Sequence, residues 1–391
     1  MRLHSAEFAA GVHRHFAEMQ RAHGAAIRVE VAAAVPATLV IGYREALRVL
    51  SDSEHFPADS RVWKSLLPND CPALPMMVWG TAAANMEESA RARAAYSAGI
   101  ESIDLYAVRA AVESAAIPLI NSFCETGGAD LLAQYARPLT TRVLHQLMGF
   151  PMESRDRLPI VPASASSANL NGETFEHTLA TLVLSKRRSP GADLTSNLVT
   201  HPAGFEDAEI VEQLMKLYMM GAEPTCNLIV NTLLLMSTDG HFHDELLSGT
   251  LSVRDAIDKV LFTDPPLMNG CPRFPRQPQI VGDVWVPAHQ PVLVSPTACN
   301  NDPAVGGDRT GNRSHLAWGA GEHACPARTV ATLIVQEALD QLLDALPEIE
   351  LAIPAGELVW QASPIHRAPV AIPVTFPPSR PLPDPSGAEP R

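Results

Sequence analysis

The chain has 391 residues, 29 basic and 43 acidic, so its formal net charge is −14. That acidity excludes a nucleic-acid binder working by phosphate neutralisation, which needs a basic surface. The 46% apolar content supplies a substantial core and excludes disorder as a whole-chain reading.

Met1 to Glu7 lacks the apolar stretch of a secretory signal. Ala37 to Gly42 is β-rich, and Tyr43 to Leu50 then reads as a helix with Ala46, Leu47 and Leu50 on one face. A proline-rich loop follows from Phe56 to about Ala84, carrying Trp63 and Trp79. Loops that long are usually functional or disordered. Glu87 to Gly99, Leu105 to Cys124, Ala129 to Met148 and Glu173 to Lys186 read as helices.

Asp207 to Met236 is apolar on nearly every face, which predicts a helix buried on all sides. Glu223, Pro224 and Thr225 stand inside it. A buried carboxylate needs partners or a shifted pKa, and an interior proline costs about 3 kcal/mol. Two readings stay open: a packing kink with Glu223 bonded to nearby backbone, or a break opening a polar notch over a ligand.

From Asp264 prolines punctuate short strands at Ile280–Val281, Val284–Val286 and Pro291–Val294. A last long helix is expected over Pro326 to Leu346, and residues 377–391 form a proline-rich, flexible tail. The whole reads as mainly α with a small β-rich subregion, a single domain over residues 1–376. The run Leu228 to Met236 is interrupted by Asn231 and Thr232 and falls short of the roughly 18 apolar residues of a membrane span. Six cysteines without a C-x-x-C pair fit a reducing cytoplasm.

The most informative stretch is His315 to Ala327, with Trp318, Gly319, Gly321, His323, Cys325 and Pro326. Its glycines make a tight turn, and Pro326 is pre-set for the first position of a helix. Cys325 is thereby expected at the helix N-cap, where free N–H groups and the helix dipole favour a thiolate. The geometry alone admits a nucleophile, a metal ligand or a small apolar side chain.

Trp318-x-x-Gly321-x-His323-x-Cys325-x-Ala327 resembles the haem-binding loop of the cytochrome P450 family, aromatic-x-x-Gly-x-His/Arg-x-Cys-x-Gly. Gly221 to Thr225, about 100 residues upstream, resembles the family's oxygen-handling stretch, Ala/Gly-Gly-x-Glu/Asp-Thr. Asp264-Pro265-Pro266, Asn300-Asn301-Asp302-Pro303 and Ile365 to Phe376 match further family stretches in order. The resemblance implies the P450 fold, with haem b between the long central helix and the cysteine-loop helix. It makes Cys325 the iron ligand, with Trp318, Gly319 and Gly321 shaping the loop. His323, Arg93 and Arg273 become propionate partners, and Glu223 and Thr225 the proton-handling residues.

The sequence departs from the family in places. Where the family carries Glu-x-x-Arg, this chain has Lys259-Val260-Leu261-Phe262. Losing both charges together is tolerable, whereas orphaning one costs roughly 3–5 kcal/mol. Phe262 is expected to pack inward and Lys259 to point to solvent, with Arg309 a surviving member of that network. Pro224 stands where the family has its threonine. Thr225 lies one residue, about 100°, further round the helix, which makes Glu223 the stronger candidate.

The resemblance implies a monooxygenase that takes electrons from ferredoxin and ferredoxin reductase. It would insert one atom of O2 into a sizeable hydrophobic substrate, a polyketide, terpenoid or macrocyclic peptide intermediate, with no nucleic-acid or membrane partner. Substrate-facing candidates are Trp79, Met219, Met220, Leu267, Met268 and Ile365, for each of which core packing is the alternative. The competing function is a degenerate relative that binds haem or ligand without turnover, as an interaction partner. A cysteine hydrolase using Cys325 and His323 has poor geometry, with two residues on one turn and no third group to orient the base.

Overall fold

Val12, Phe16 and Met19 recur at three- and four-residue spacing, which puts them on one helical face, and Phe8 stands one such step earlier, before Gly11. The chain accordingly opens with α1 (Ala6–Ala10) and α2 (Val12–His23), which bury all four. The structure is a computed structural model. It describes residues 1–68, 71, 86–151, 169–170, 173–240, 249–306 and 312–383, with 86–89, 169–170 and 173–174 by backbone alone. Trp79 and Arg309 lie outside the described residues.

β1 (Ala26–Ala32) and β2 (Val35–Val40) form an antiparallel hairpin. Its two-residue turn holds Ala34 at φ 60°, a left-handed conformation that costs an L-residue about 1–2 kcal/mol. Ala34→Gly should relieve that strain and, after the entropy glycine adds to the unfolded chain, stabilise the protein by about 0.5 kcal/mol. The measurement is the urea midpoint at unchanged slope.

The chain continues through α3 (Tyr43–Ser51), α4 (Arg61–Ser65), α5 (Met86–Glu101) and α6 (Leu105–Asn121). The expected helix from Ala129 to Met148 divides into β3 (Gly128–Asp130), a π-helical turn Leu132–Ala136 and α7 (Arg137–Met148). β4 (Asn169–Leu170), β5 (Glu173–Thr174), α8 (Phe175–Arg188) and α9 (Leu194–Val199) lead to α10 (Asp207–Thr238). This is the expected central helix. It stays α-helical through Pro224 instead of breaking there.

Next come α11 (Val253–Thr263), β6 (Gly270–Arg273), β7 (Gln279–Val281), β8 (Val284–Val286), β9 (Val292–Val294) and α12 (Pro296–Asn300). α13 (Arg328–Ala345), β10 (Glu350–Leu351) and β11 (Pro373–Thr375) complete the described chain. The fold class is as expected, mainly helical with small sheets. Among the described residues no helix is long and apolar enough to cross a membrane.

The chain groups into two compact units. The first comprises Met1–Thr81, Arg254–Cys325 and Val359–Val370. It holds a four-stranded sheet ordered β1-β2-β9-β6, with β2 and β9 parallel. Successive side chains on a strand face opposite sides, so Leu39 and Leu293 join the core with Phe8 and Phe274, while Val40, Val292 and Val294 join a second core with Leu50 and Leu316.

The second unit comprises Ala82–Val253, Pro326–Leu358 and Ala371–Arg391. α10 packs on α7, α8 and α13, and α13 on α6. The fully buried Tyr135 hydroxyl donates to the Ala338 carbonyl of α13 at 2.6 Å. A second sheet runs β10-β11-β3. The first part of the expected flexible tail is tied down. Leu382 N–H donates to Asn121 Oδ1 at 2.7 Å, Asn121 Nδ2 donates to the Leu382 carbonyl at 3.0 Å, and Ser379 N–H donates to the Cys124 carbonyl at 2.8 Å.

Candidate functional site

Two glycines fold the cysteine loop back on itself. Gly319 and Gly321 have φ of 69° and 68°, the left-handed region where only glycine is free of strain. A Cβ on Gly321 would sit 2.6 Å from the Leu50 carbonyl oxygen of α3. The loop closes where Cys325 N–H donates to the Trp318 carbonyl at 2.8 Å. Cys325 and His323 are both half-buried. Gly321→Ala should displace the loop and destabilise the protein by at least about 1 kcal/mol, measured by thermal unfolding.

The expected N-cap position for Cys325 is corrected. The helix starts at Arg328 with Ala327 as its N-cap, so the cysteine lies two residues before that cap. The hydrogen bond to Trp318 holds the Cys325 backbone in the loop, and Pro326 and Ala327 form the turn into α13.

The segment entering this loop is gripped at four successive residues. Arg313 Nε pairs with Asp258 Oδ2 at 2.8 Å, and Tyr43 Oη donates to the Ser314 carbonyl at 2.6 Å. The His315 ring meets Phe262 edge-on at 5.2 Å, and Leu316 N–H donates to Asn300 Oδ1 at 2.8 Å. Phe262 is 6% exposed, packed inward as expected. Asn300 Nδ2 also donates to the Leu261 carbonyl, and Asn301 Nδ2 to those of Phe262 and Thr263. These amides satisfy carbonyls that the end of α11 would leave open.

Burial pushes the His315 imidazole down to about 4. A histidine with a folded pKa below its unfolded value of 6.5 stabilises fully above that value. The contribution falls away on acidification from about 6.5 towards about 4, because the unfolded chain takes up the proton first. Stability measured across this window should drop, and drop less in His315→Phe.

Leu267, Met268 and Ile365 come together. Leu267 bridges His366, and Asn269 N–H donates to the Ile365 carbonyl at 3.3 Å. Met268 is 1% exposed within the first unit's core, Ile365 is 6% exposed, and Leu267 is half-buried. Arg273 is buried, its Nη1 donating to the carbonyls of Cys271 and Pro272. The Asp264-Pro265-Pro266 turn is anchored by Asp264, which takes His13 Nε2 at 2.8 Å and Arg367 Nε at 3.3 Å. Burial opposes its charge, yet these two partners hold the carboxyl below the usual range. Arg367 also lies over the Trp360 ring at 3.4 Å.

Glu223, Thr225, Arg93, Met219 and Met220 belong to the second unit. From Met219 to Pro224 every residue of α10 is at least partly exposed, whereas Thr225 to Leu233 are all buried. Thr225 is thus covered while Glu223 is reachable. Arg93 is half-buried on α5. Burial lowers the Lys216 ammonium pKa, Glu212 counters this, and the charge of Arg93 lowers it further.

Among the described residues no group of three or more His, Cys, Asp or Glu could hold a bare metal ion. Cys325 offers one partly exposed thiol on a closed loop, with His323 beside it. One axial sulfur suits a metal that brings its own equatorial nitrogens, as in a porphyrin, and not a free ion needing several protein ligands. The residues fit the group.

No protein-family model matches the chain. Mycinamicin IV hydroxylase/epoxidase of Micromonospora griseorubida is 29% identical over 278 residues, covering 66% of this chain and 70% of that one. The cytochrome P450 monooxygenase PikC of Streptomyces venezuelae is 26% identical over 391 residues, covering 95% and 92%. Among solved structures, a myxobacterial cytochrome P450 in complex with myristic acid superposes with a TM-score of 0.82 at 24% identity, covering 96% and 98%.

Proposed function

We propose, from a chain that belongs with the bacterial cytochrome P450s as a haem-b oxidoreductase, that it hydroxylates or epoxidises a sizeable hydrophobic natural-product intermediate. One atom of O2 enters the substrate and the other leaves as water, with two electrons and two protons consumed. The electrons come from a ferredoxin reduced by its reductase. The bound haem supplies oxygen activation, and a thiolate ligand favours O–O cleavage.

The chain's own residues supply the rest of the chemistry. Cys325 would hold the iron from its glycine-shaped loop, with His323, Arg273 and Arg93 as cationic partners for the propionates. Glu223, partly exposed on α10, would take a proton from solvent and pass it on. Thr225 is 6% exposed and one helical position off the family's alcohol, so the carboxylate carries the proton-handling role in this reading. Met219, Met220, Leu267 and Ile365 would give the substrate an apolar surround.

The single observation that carries the reading is the loop Trp318–Cys325, glycine-shaped and closed by its own hydrogen bond, in a chain whose relatives include mycinamicin IV hydroxylase/epoxidase. The test adds ferredoxin, reductase and reduced nicotinamide cofactor to the haem-loaded protein with a panel of polyketides, terpenoids and macrocyclic peptides. The expected result is a product one oxygen atom heavier than a panel member. Tight substrate binding with no product and no substrate-dependent consumption of cofactor would favour a haem-binding partner without turnover.

A further inference from the structure

We infer that Asp258 and Arg313 are positioning residues for the cysteine loop, and that their ion pair, backed by the Phe262–His315 contact, fixes where the chain enters that loop. The inference rests on the reading of Cys325 as the thiolate ligand. Asp258 lies on α11 with its side chain 14% exposed. It receives two guanidiniums, Arg254 Nε at 3.2 Å from the same helix and Arg313 Nε at 2.8 Å from the entering segment. Asp258 and Phe262 are four residues apart, hence on one helical face. They grip Arg313 and His315, two residues apart on the entering segment. One face of α11 therefore meets the segment, and Gly319 N–H donates to the Leu316 carbonyl at 2.9 Å where the loop begins.

Charge and packing divide the task. An exposed ion pair contributes little, but Asp258 is mostly covered, so its attraction for Arg313 is screened less than that of a fully exposed pair. Arg313 is 61% exposed, so the pair does not owe its place to core burial. It ties the segment to a helix at the first of the four successive grips that precede the glycine turn. In this chain the charged partner stands at position 258 and the apolar one at position 262 of the same helix.

The test compares Asp258→Asn, Arg313→Ala and Arg313→Lys with Asp59→Asn. The last removes a carboxylate that pairs with Arg61 at 2.8 Å and Arg276 at 3.8 Å and with neither Arg254 nor Arg313. Two readouts are taken: amide hydrogen exchange over residues 312–327 of the purified protein, and the rate at which the reduced carbon-monoxide complex changes from a thiolate-type to a thiol-type band. Asp258→Asn and Arg313→Ala should speed both at least about threefold, Arg313→Lys should restore most of the wild-type behaviour, and Asp59→Asn should change neither. Equal behaviour of wild type, Asp258→Asn and Arg313→Ala, or an equal effect from Asp59→Asn, overturns the inference. A wild type lacking the thiolate band would instead refute the reading of Cys325, and the exchange arm would still decide whether the pair holds the loop.

Discussion

Phe262→Arg should destabilise the protein by at least about 3 kcal/mol. Phe262 is 6% exposed and stands edge-on to His315 at 5.2 Å. The substitution removes that contact and brings a guanidinium into a site lined by a neutral imidazole. Its nearest helical carboxylate, Asp258, already takes Arg254 and Arg313. A third guanidinium meets a carboxylate whose charge is already compensated, and burying an ion without a partner is costly. Phe262→Leu separates shape from charge and should cost much less, about 1 kcal/mol. Thermal unfolding of the three proteins measures the difference. An arginine variant that melts with the wild type would mean that position 262 faces water.

Cys325→Ser should abolish the thiolate-type band of the reduced carbon-monoxide complex while leaving the fold intact. Cys325 is half-buried, so exchanging sulfur for oxygen perturbs packing little. A serine hydroxyl does not ionise near neutral pH and cannot push electron density to iron as a thiolate does. Circular dichroism should therefore superpose on the wild type while the spectrum differs completely. The same substitution at Cys299, fully buried against α3 and the first unit's sheet with its thiol pushed above the usual range by burial, should leave the band in place. Its cost is in stability.

Much of this was legible in the sequence because the signals are local. The apolar run of α10 and the turn Gly319–Gly321 follow from spacing and residue type, and the inward side of Phe262 follows from the resemblance, where it replaces the arginine of Glu-x-x-Arg. The hairpin β1–β2 was only half legible, since its turn uses Ala34 at positive φ where glycine or asparagine would have announced it. The stripe of Val12, Phe16 and Met19 carries the helical period of α2 in the same local way. The offset of Cys325 from the helix start was hidden because Pro326 suits a first turn and a preceding loop equally well. The pairing of Asp258 with Arg313 was out of reach, because the two lie 55 positions apart and no short-range pattern joins them. Tertiary contacts between distant charges leave no period to read.

The most direct measurement is the absorption spectrum of the purified, haem-supplied wild-type protein, reduced and treated with carbon monoxide. The account predicts a thiolate-type band, present in the wild type and absent from Cys325→Ser. A protein that takes up no haem, or one whose band is the same in both, would contradict it.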